Sequence, residues 1–151
     1  MTSLTGKTAL VTGASKGIGK AIALAYGEAG ANVVATGRNV SEIDDVVGRI
    51  KSGGSKALGV IADLGVETDI EKLAEAAEQE FGGVDILVNN AAIITPGIPV
   101  VDMDIQLWRD VMDVNVTGAF ILTKKILPGM IERGYGKVIN ISSIGGRKGG
   151  Y

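Results

Sequence analysis

Five short apolar runs, Thr8 to Thr12, Asn32 to Thr36, Ala57 to Ala62, Val84 to Val88 and Lys137 to Ile141, alternate along the chain with longer stretches of helical periodicity. No other feature restricts the fold so much. Strands that are apolar at successive positions, rather than at every second one, are buried on both faces, and this requires helices on both sides of a parallel sheet. Between the strands, Ile18, Ile22, Ala25, Tyr26 and Ala29 share one helix face that ends at Gly30, and Ile43, Val46, Val47 and Ile50 share another with Ser41 as its expected cap. Ile70, Leu73, Ala74, Ala77 and Phe81 form a third stripe, opposite Glu71, Lys72, Glu75 and Glu78 and closed by Gly82-Gly83.

The fourth helical stretch, Ile105 to Arg133, is apolar on more than one side, through Trp108, Val111, Met112, Phe120, Ile121, Leu122, Leu127 and Ile131. Only one stripe can lie on a sheet, so an exposed apolar face that calls for a partner helix is expected, with Pro128 predicting a kink near the end. The whole order, β-α-β-α-β-α-β-α-β, predicts an α/β fold, a doubly wound, Rossmann-like parallel sheet. Such sheets commonly carry six or more strands, so these five read as the N-terminal part of a larger sheet and residues 1–151 as one domain, incomplete at its C-terminus.

Composition narrows the chemistry. Among 151 residues there is neither Cys nor His, which removes thiol nucleophiles, imidazole bases and Cys/His zinc sites; no metal site is expected. Proton chemistry has to use Tyr, Lys, Asp or Glu. A formal net charge of -2 gives no basic surface for nucleic acid, and no apolar stretch approaches the roughly 18 residues of a membrane span. With a short polar lead, Met1 to Lys7, and no cysteine, a cytoplasmic protein is expected, one that engages neither nucleic acid nor membrane.

Glycine is the compositional outlier, 23 residues in clusters. The most informative cluster, Thr12-Gly13-Ala14-Ser15-Lys16-Gly17-Ile18-Gly19, joins the first strand directly to the first helix. There, glycines let backbone approach a pyrophosphate, and the free amides and dipole of the helix N-terminus favour the anion. A tight turn is the plain alternative, and the strand-turn-helix context favours dinucleotide binding. A P-loop is excluded, because Gly19-Lys20 is preceded at the required distance by Ala14 and followed by Ala21. A methyltransferase on a related sheet would want a carboxylate after the second strand, where this chain has Thr36-Gly37-Arg38.

Taken with Asp63-Leu64 after the third strand, Asn89-Asn90-Ala91 after the fourth, Asn115 in the long helical stretch and Ile141-Ser142-Ser143 after the fifth, this turn resembles the short-chain dehydrogenases/reductases, among them the 3-oxoacyl-(acyl carrier protein) reductases. The resemblance implies hydride transfer between NADP(H) and a carbonyl or secondary alcohol. It assigns Gly13, Ser15, Lys16, Gly17, Ile18 and Gly19 to the dinucleotide, Asp63 and Leu64 to the adenine, and Asn90, Ala91 and Ala92 to the ribose and nicotinamide side. In the catalytic set it implies Ser143, bonding the substrate oxygen, and Asn115, holding a water of a proton relay. The plain alternatives are a turn or helix cap for Asp63, a backbone-bonded interruption of the helix for Asn115 and a turn for Ser142-Ser143. Homodimers or homotetramers are the implied assembly.

Arg38, with Lys16, and Gly37 where an NAD-type enzyme carries Asp, place NADP(H) ahead of NAD(H), since Arg offers a 2′-phosphate a charge-assisted partner. Two departures from the family pattern stand out. Ala92 occupies a position usually held by Gly, and no Tyr-x-x-x-Lys occurs in the sequence; Tyr151, eight residues after Ser143, falls short of the family's spacing and reads as a loop tyrosine. A catalytically inactive dinucleotide-binding fragment and a subunit interaction module are therefore the alternatives to an oxidoreductase.

Overall fold

A computed structural model describes residues 3–95 and 97–145. Pro96 and Tyr151 lie outside the described residues. The strands are β1 (Thr8–Val11), β2 (Asn32–Gly37), β3 (Ala57–Ile61), β4 (Ile86–Asn89) and β5 (Lys137–Asn140), each within two residues of its apolar run. They form one sheet in the order β3-β2-β1-β4-β5, with every neighbouring pair parallel. The chain starts in the middle, winds outward to β3, then returns past β1 to β4. That reversal leaves a crevice at the C-terminal ends of β1 and β4, where the strands' following loops diverge.

Helices α1 (Gly17–Glu28) and α2 (Val40–Ser52) cover one face, and α3 (Glu67–Phe81) and α5 (Ala119–Glu132) the other. The alternation within β1 shows why its run is continuously apolar. Ala9 and Val11 pack with Ala23, Ile43, Val46 and Ile50 on the first face, whereas Leu10 packs with Leu73, Leu122 and Ile126 on the second. All are buried.

Two local expectations need correction. Asn39, not Ser41, caps α2: its Oδ1 accepts the Glu42 amide at 3.2 Å, while the Ser41 hydroxyl donates to that same oxygen at 2.9 Å. The Asn side chain wins because Val40 is already helical, which puts Ser41 inside the first turn. The stretch from Ile105 to Arg133 is not one α-helix. It consists of α4 (Ile105–Met112), a π-helical segment from Asp113 to Gly118, and α5. Pro128 lies inside α5, near its end at Glu132, where the sequence placed it.

Leu122, Ile126 and Met130 form the buried stripe of α5. Trp108, Met112, Val116, Phe120, Leu127 and Ile131 are exposed, with Phe120 at 64% and Ile131 at 70%, so the excess apolar face expected from the sequence is present. Among the described residues β5 pairs with β4 alone, and it is exposed along its length. No helix among the described residues is long and apolar enough to cross a membrane.

Candidate functional site

A cleft of about 420 Å³ opens where β1, β2, β3 and β4 end. Its walls bring together segments distant in sequence: Gly13 and Ser15 to Ile18 from the glycine turn, Gly37 and Arg38 after β2, Ala62 to Leu64 after β3, and Asn90 to Ile94 after β4. Of the residues expected to hold the dinucleotide, Gly13, Ser15, Lys16, Gly17, Ile18, Arg38, Asp63, Leu64, Asn90, Ala91 and Ala92 all line it.

Gly19 does not. It is buried beneath the turn, and a methyl added to it would meet the Gly13 carbonyl oxygen and, at 2.5 Å, the Asn90 amide nitrogen. Its task is to let α1 press against the end of β1. Gly17, two residues earlier, is left-handed at φ +56°, and an added Cβ there would have nothing within 4 Å. The glycine turn thus divides its labour between close packing at Gly19 and open, approachable backbone at Gly17.

No side chain caps the N-terminus of α1, and its first intrahelical bond runs from the Lys20 amide to the Lys16 carbonyl at 3.3 Å. The amides of the first turn before Lys20, Gly17 and Ile18 among them, therefore remain for a ligand or water at the edge of the cleft, whereas the Ala14 amide is taken by the Thr36 carbonyl at 2.9 Å. An open glycine cradle, an uncapped positive helix end and an exposed Arg38 suit the phosphate groups of a dinucleotide.

The cleft floor is fixed by Thr12. Its hydroxyl donates to the Val88 carbonyl at 3.2 Å and accepts the Asn90 and Ala91 amides, both at 2.9 Å. Asn90 answers by donating its side-chain amide to the Thr12 carbonyl at 2.9 Å and the Gly13 carbonyl at 3.3 Å. Asn90 therefore holds the glycine turn as well as lining the cleft. Its neighbour Asn89 is buried, and its amide bonds Thr123 at 3.1 Å and Asn140 at 2.9 Å, tying β4 to α5 and β5.

Asn115 lies in the π-helical segment and grips Ile93 at both ends: its Oδ1 accepts the Ile93 amide at 2.7 Å, and its Nδ2 donates to the Ile93 carbonyl at 3.0 Å. This backbone bonding reaches a segment 22 residues away, and it sets the course of the loop after β4. One amide proton remains for a water. Ser143 is exposed beyond β5 and accepts the Gly145 amide at 3.2 Å. Asp63 makes a turn by accepting the Gly65 amide at 2.9 Å while its other oxygen faces Arg38.

Gly118 gave no functional signal in the sequence, yet it sets the site's geometry. A Cβ there would strike the Leu64 carbonyl, so glycine lets the end of the π-helical segment reach the loop that forms the cleft wall. Its costly position within a helical stretch was the available clue.

A sheet of this order with a glycine turn at the reversal of strand order defines a doubly wound, Rossmann-like domain with its ligand cleft at the switch point. Residues 7–151 match the family model described as short chain dehydrogenase. The chain belongs to that family. It is similar to a 3-oxoacyl-[acyl-carrier-protein] reductase of Synechocystis sp., with 39% identity over 99% of this chain and 60% of that protein. Glucose 1-dehydrogenase 2 of Bacillus subtilis is 43% identical over 93% of this chain and 55% of its own length. Among solved structures, a metagenomic short-chain oxidoreductase in complex with NADP superimposes with a TM-score of 0.93 and 37% identity, covering 97% of this chain and 66% of that one. The chain thus spans between about half and two thirds of these relatives.

Proposed function

We propose that this chain supplies the NADP(H)-binding part of an oxidoreductase that transfers hydride between NADP(H) and a carbonyl or secondary alcohol. The observation that carries the proposal is the convergence of the open Gly17 cradle, Arg38, Asp63-Leu64 and Asn90-Ala92 on one cleft at the strand ends. The bound dinucleotide would supply or accept the hydride. The chain's residues bind and orient: the amides of the α1 N-terminus and Lys16 receive pyrophosphate charge, and Arg38 receives a 2′-phosphate. Gly37 stands where a carboxylate would repel that phosphate. Ser143 bonds the substrate oxygen, and Asn115 positions the Ile93 segment beside the cofactor and offers its remaining amide proton to a relay water.

The solved NADP complex of a similar protein supports a nicotinamide dinucleotide, and Arg38 supports the phosphorylated form. The test is calorimetric titration with NADPH and NADH. A preference for NADPH of roughly tenfold to a hundredfold is expected from one charge-assisted contact to phosphate. Equal affinities overturn the NADP(H) assignment, and binding of neither overturns the proposal.

A second reading concerns residues 1–151 taken by themselves, which contain no Tyr-x-x-x-Lys and are read as binding cofactor without turnover. The alkoxide formed on ketone reduction needs a proton, and general acid catalysis contributes about 10²–10⁴-fold. Residues 1–151 are expected to reduce β-ketoesters at no more than about a thousandth of the rate of a chain extended through such a segment. NADPH oxidation by both chains decides between the readings; comparable rates would make Tyr151 the proton donor. The proposal includes a cytoplasmic setting and self-association through the exposed face of α4 and α5, as a homodimer or homotetramer.

A further inference from the structure

Arg38 and Asp63 stand at the C-terminal ends of the paired strands β2 and β3, where Gly37 is in register with Ile61. An Arg38 Nη1 lies 3.6 Å from Asp63 Oδ2, with the Arg38 side chain 70% and the Asp63 side chain 36% exposed. The two partners differ in freedom. Asp63 is anchored, since its Oδ1 accepts the Gly65 amide at 2.9 Å and its own amide donates to Asp69 Oδ2 at 3.2 Å. Arg38 has a long flexible stem, and its guanidinium presents a planar fork of donors. A second cavity of about 290 Å³ adjoins the pair, lined by Arg38 and Asp63 and also by Asp110 and Asp113. Arg38 therefore sits at the boundary between the nucleotide cleft and an acidic recess.

Resting on the cofactor assignment above, we propose that Asp63 holds Arg38 in the ligand-free protein and yields it to the 2′-phosphate, so that the Asp63 carboxylate sets how strongly NADP(H) is preferred over NAD(H). Two effects act in the same direction. Phosphate binding has to displace or share the carboxylate's hold on the guanidinium, and the anchored carboxylate then stays as a negative charge close to the phosphate. NAD(H), with a hydroxyl at that position, meets neither effect. Because the pair is exposed, the influence is a modulation that salt screens.

Asp63→Asn is the discriminating change. It removes the charge while keeping an oxygen for the Gly65 amide, and Asp63→Ser provides a second variant that also retains an acceptor. Dissociation constants for NADPH, NADH, 2′,5′-ADP and 5′-AMP are measured by calorimetry on wild type and variants, at low and at high salt. The preference for NADPH over NADH is expected to rise about two- to fivefold at low salt, with the same gain in the ADP/AMP pair and a smaller gain at high salt. In an Arg38→Ala background the Asp63 substitution is expected to raise the preference less than in the wild type, because only the carboxylate's own charge near the phosphate is then left to act; an equal or larger rise without Arg38 overturns the inference. An unchanged or lowered preference in the Asp63 variants overturns the inference, and so does an equal weakening of both cofactors, which is the mark of a carboxylate that simply contacts the adenine. Binding of neither nucleotide by the wild type overturns the cofactor assignment itself, and this inference with it.

Discussion

Alanine substitutions at Gly17 and Gly19 separate two roles that a glycine motif usually conceals. At Gly19 the new methyl would strike a backbone oxygen of Gly13, which has no rotamer to escape into, and would press at 2.5 Å on the Asn90 amide. Overpacking of this kind takes the upper end of its range, about 3 kcal/mol. Displacing Asn90 would also cost its bonds to the Thr12 and Gly13 carbonyls, at about 1 kcal/mol for a typical bond. Alanine regains about 1 kcal/mol in helix propensity, so the net loss is about 3–4 kcal/mol. At Gly17 the methyl meets nothing, and the cost is that of a left-handed alanine, about 1–2 kcal/mol.

Urea unfolding followed by circular dichroism reads the difference. With a slope of about 2 kcal/mol per molar, Gly19→Ala lowers the midpoint by about 1.5–2 M and Gly17→Ala by about 0.5–1 M. Cofactor affinity is expected to invert the ranking per unit of lost stability, because Gly17 lines the cleft proposed to receive the pyrophosphate, whereas Gly19 does not. Indistinguishable unfolding midpoints for the two variants would refute the division of roles.

Other perturbations follow from the same geometry. Asn115→Ala removes both bonds to Ile93 and should cost about 1–3 kcal/mol, with hydrogen exchange at the Ile93 amide accelerating ahead of that in β1. Phe120→Asp combined with Ile131→Asp should abolish self-association; sedimentation of the unsubstituted chain as a monomer at high micromolar concentration would refute the interface. The Asp45 carboxyl is held below its ordinary value by the hydrogen bond and charge of Lys20, with Arg49 adding to the effect. Since the folded value is depressed, this contribution is present above the unfolded carboxylate range and disappears as pH falls through the folded value, so Lys20→Met should raise the Asp45 titration midpoint seen by NMR.

The strands could be read from the sequence because burial on both faces leaves little room for polar residues, as the opposite-facing pair Val33 and Val34 in β2 demonstrates. The cleft was legible for a related reason: its walls are the short segments that follow strands, and these carry the glycines, Arg38, Asp63 and Asn90. What escaped were interactions between segments. Nothing local distinguishes Asp113 to Gly118 as π-helical, and Asn115 could not be matched to Ile93 without knowing that the loop after β4 passes beside it. Gly19 was assigned to the ligand because sequence spacing does not tell a glycine that faces a cleft from one that faces another backbone.

The Thr12 hydroxyl joins groups 76 to 79 residues away along the chain. The first three strands can pair as they emerge in order, β1 with β2 and β2 with β3, and the Ala14 amide can then bond the Thr36 carbonyl, but the glycine turn acquires its Asn90 partner only when β4 inserts on the far side of β1. Closing so long a loop precedes the contacts that reward it, and slow formation is the rule for such pairings. The nucleotide cleft is then among the last features to mature during folding. Gain of cofactor affinity in a refolding experiment would time the closing of the β1–β4 seam, well after circular dichroism has registered the helices.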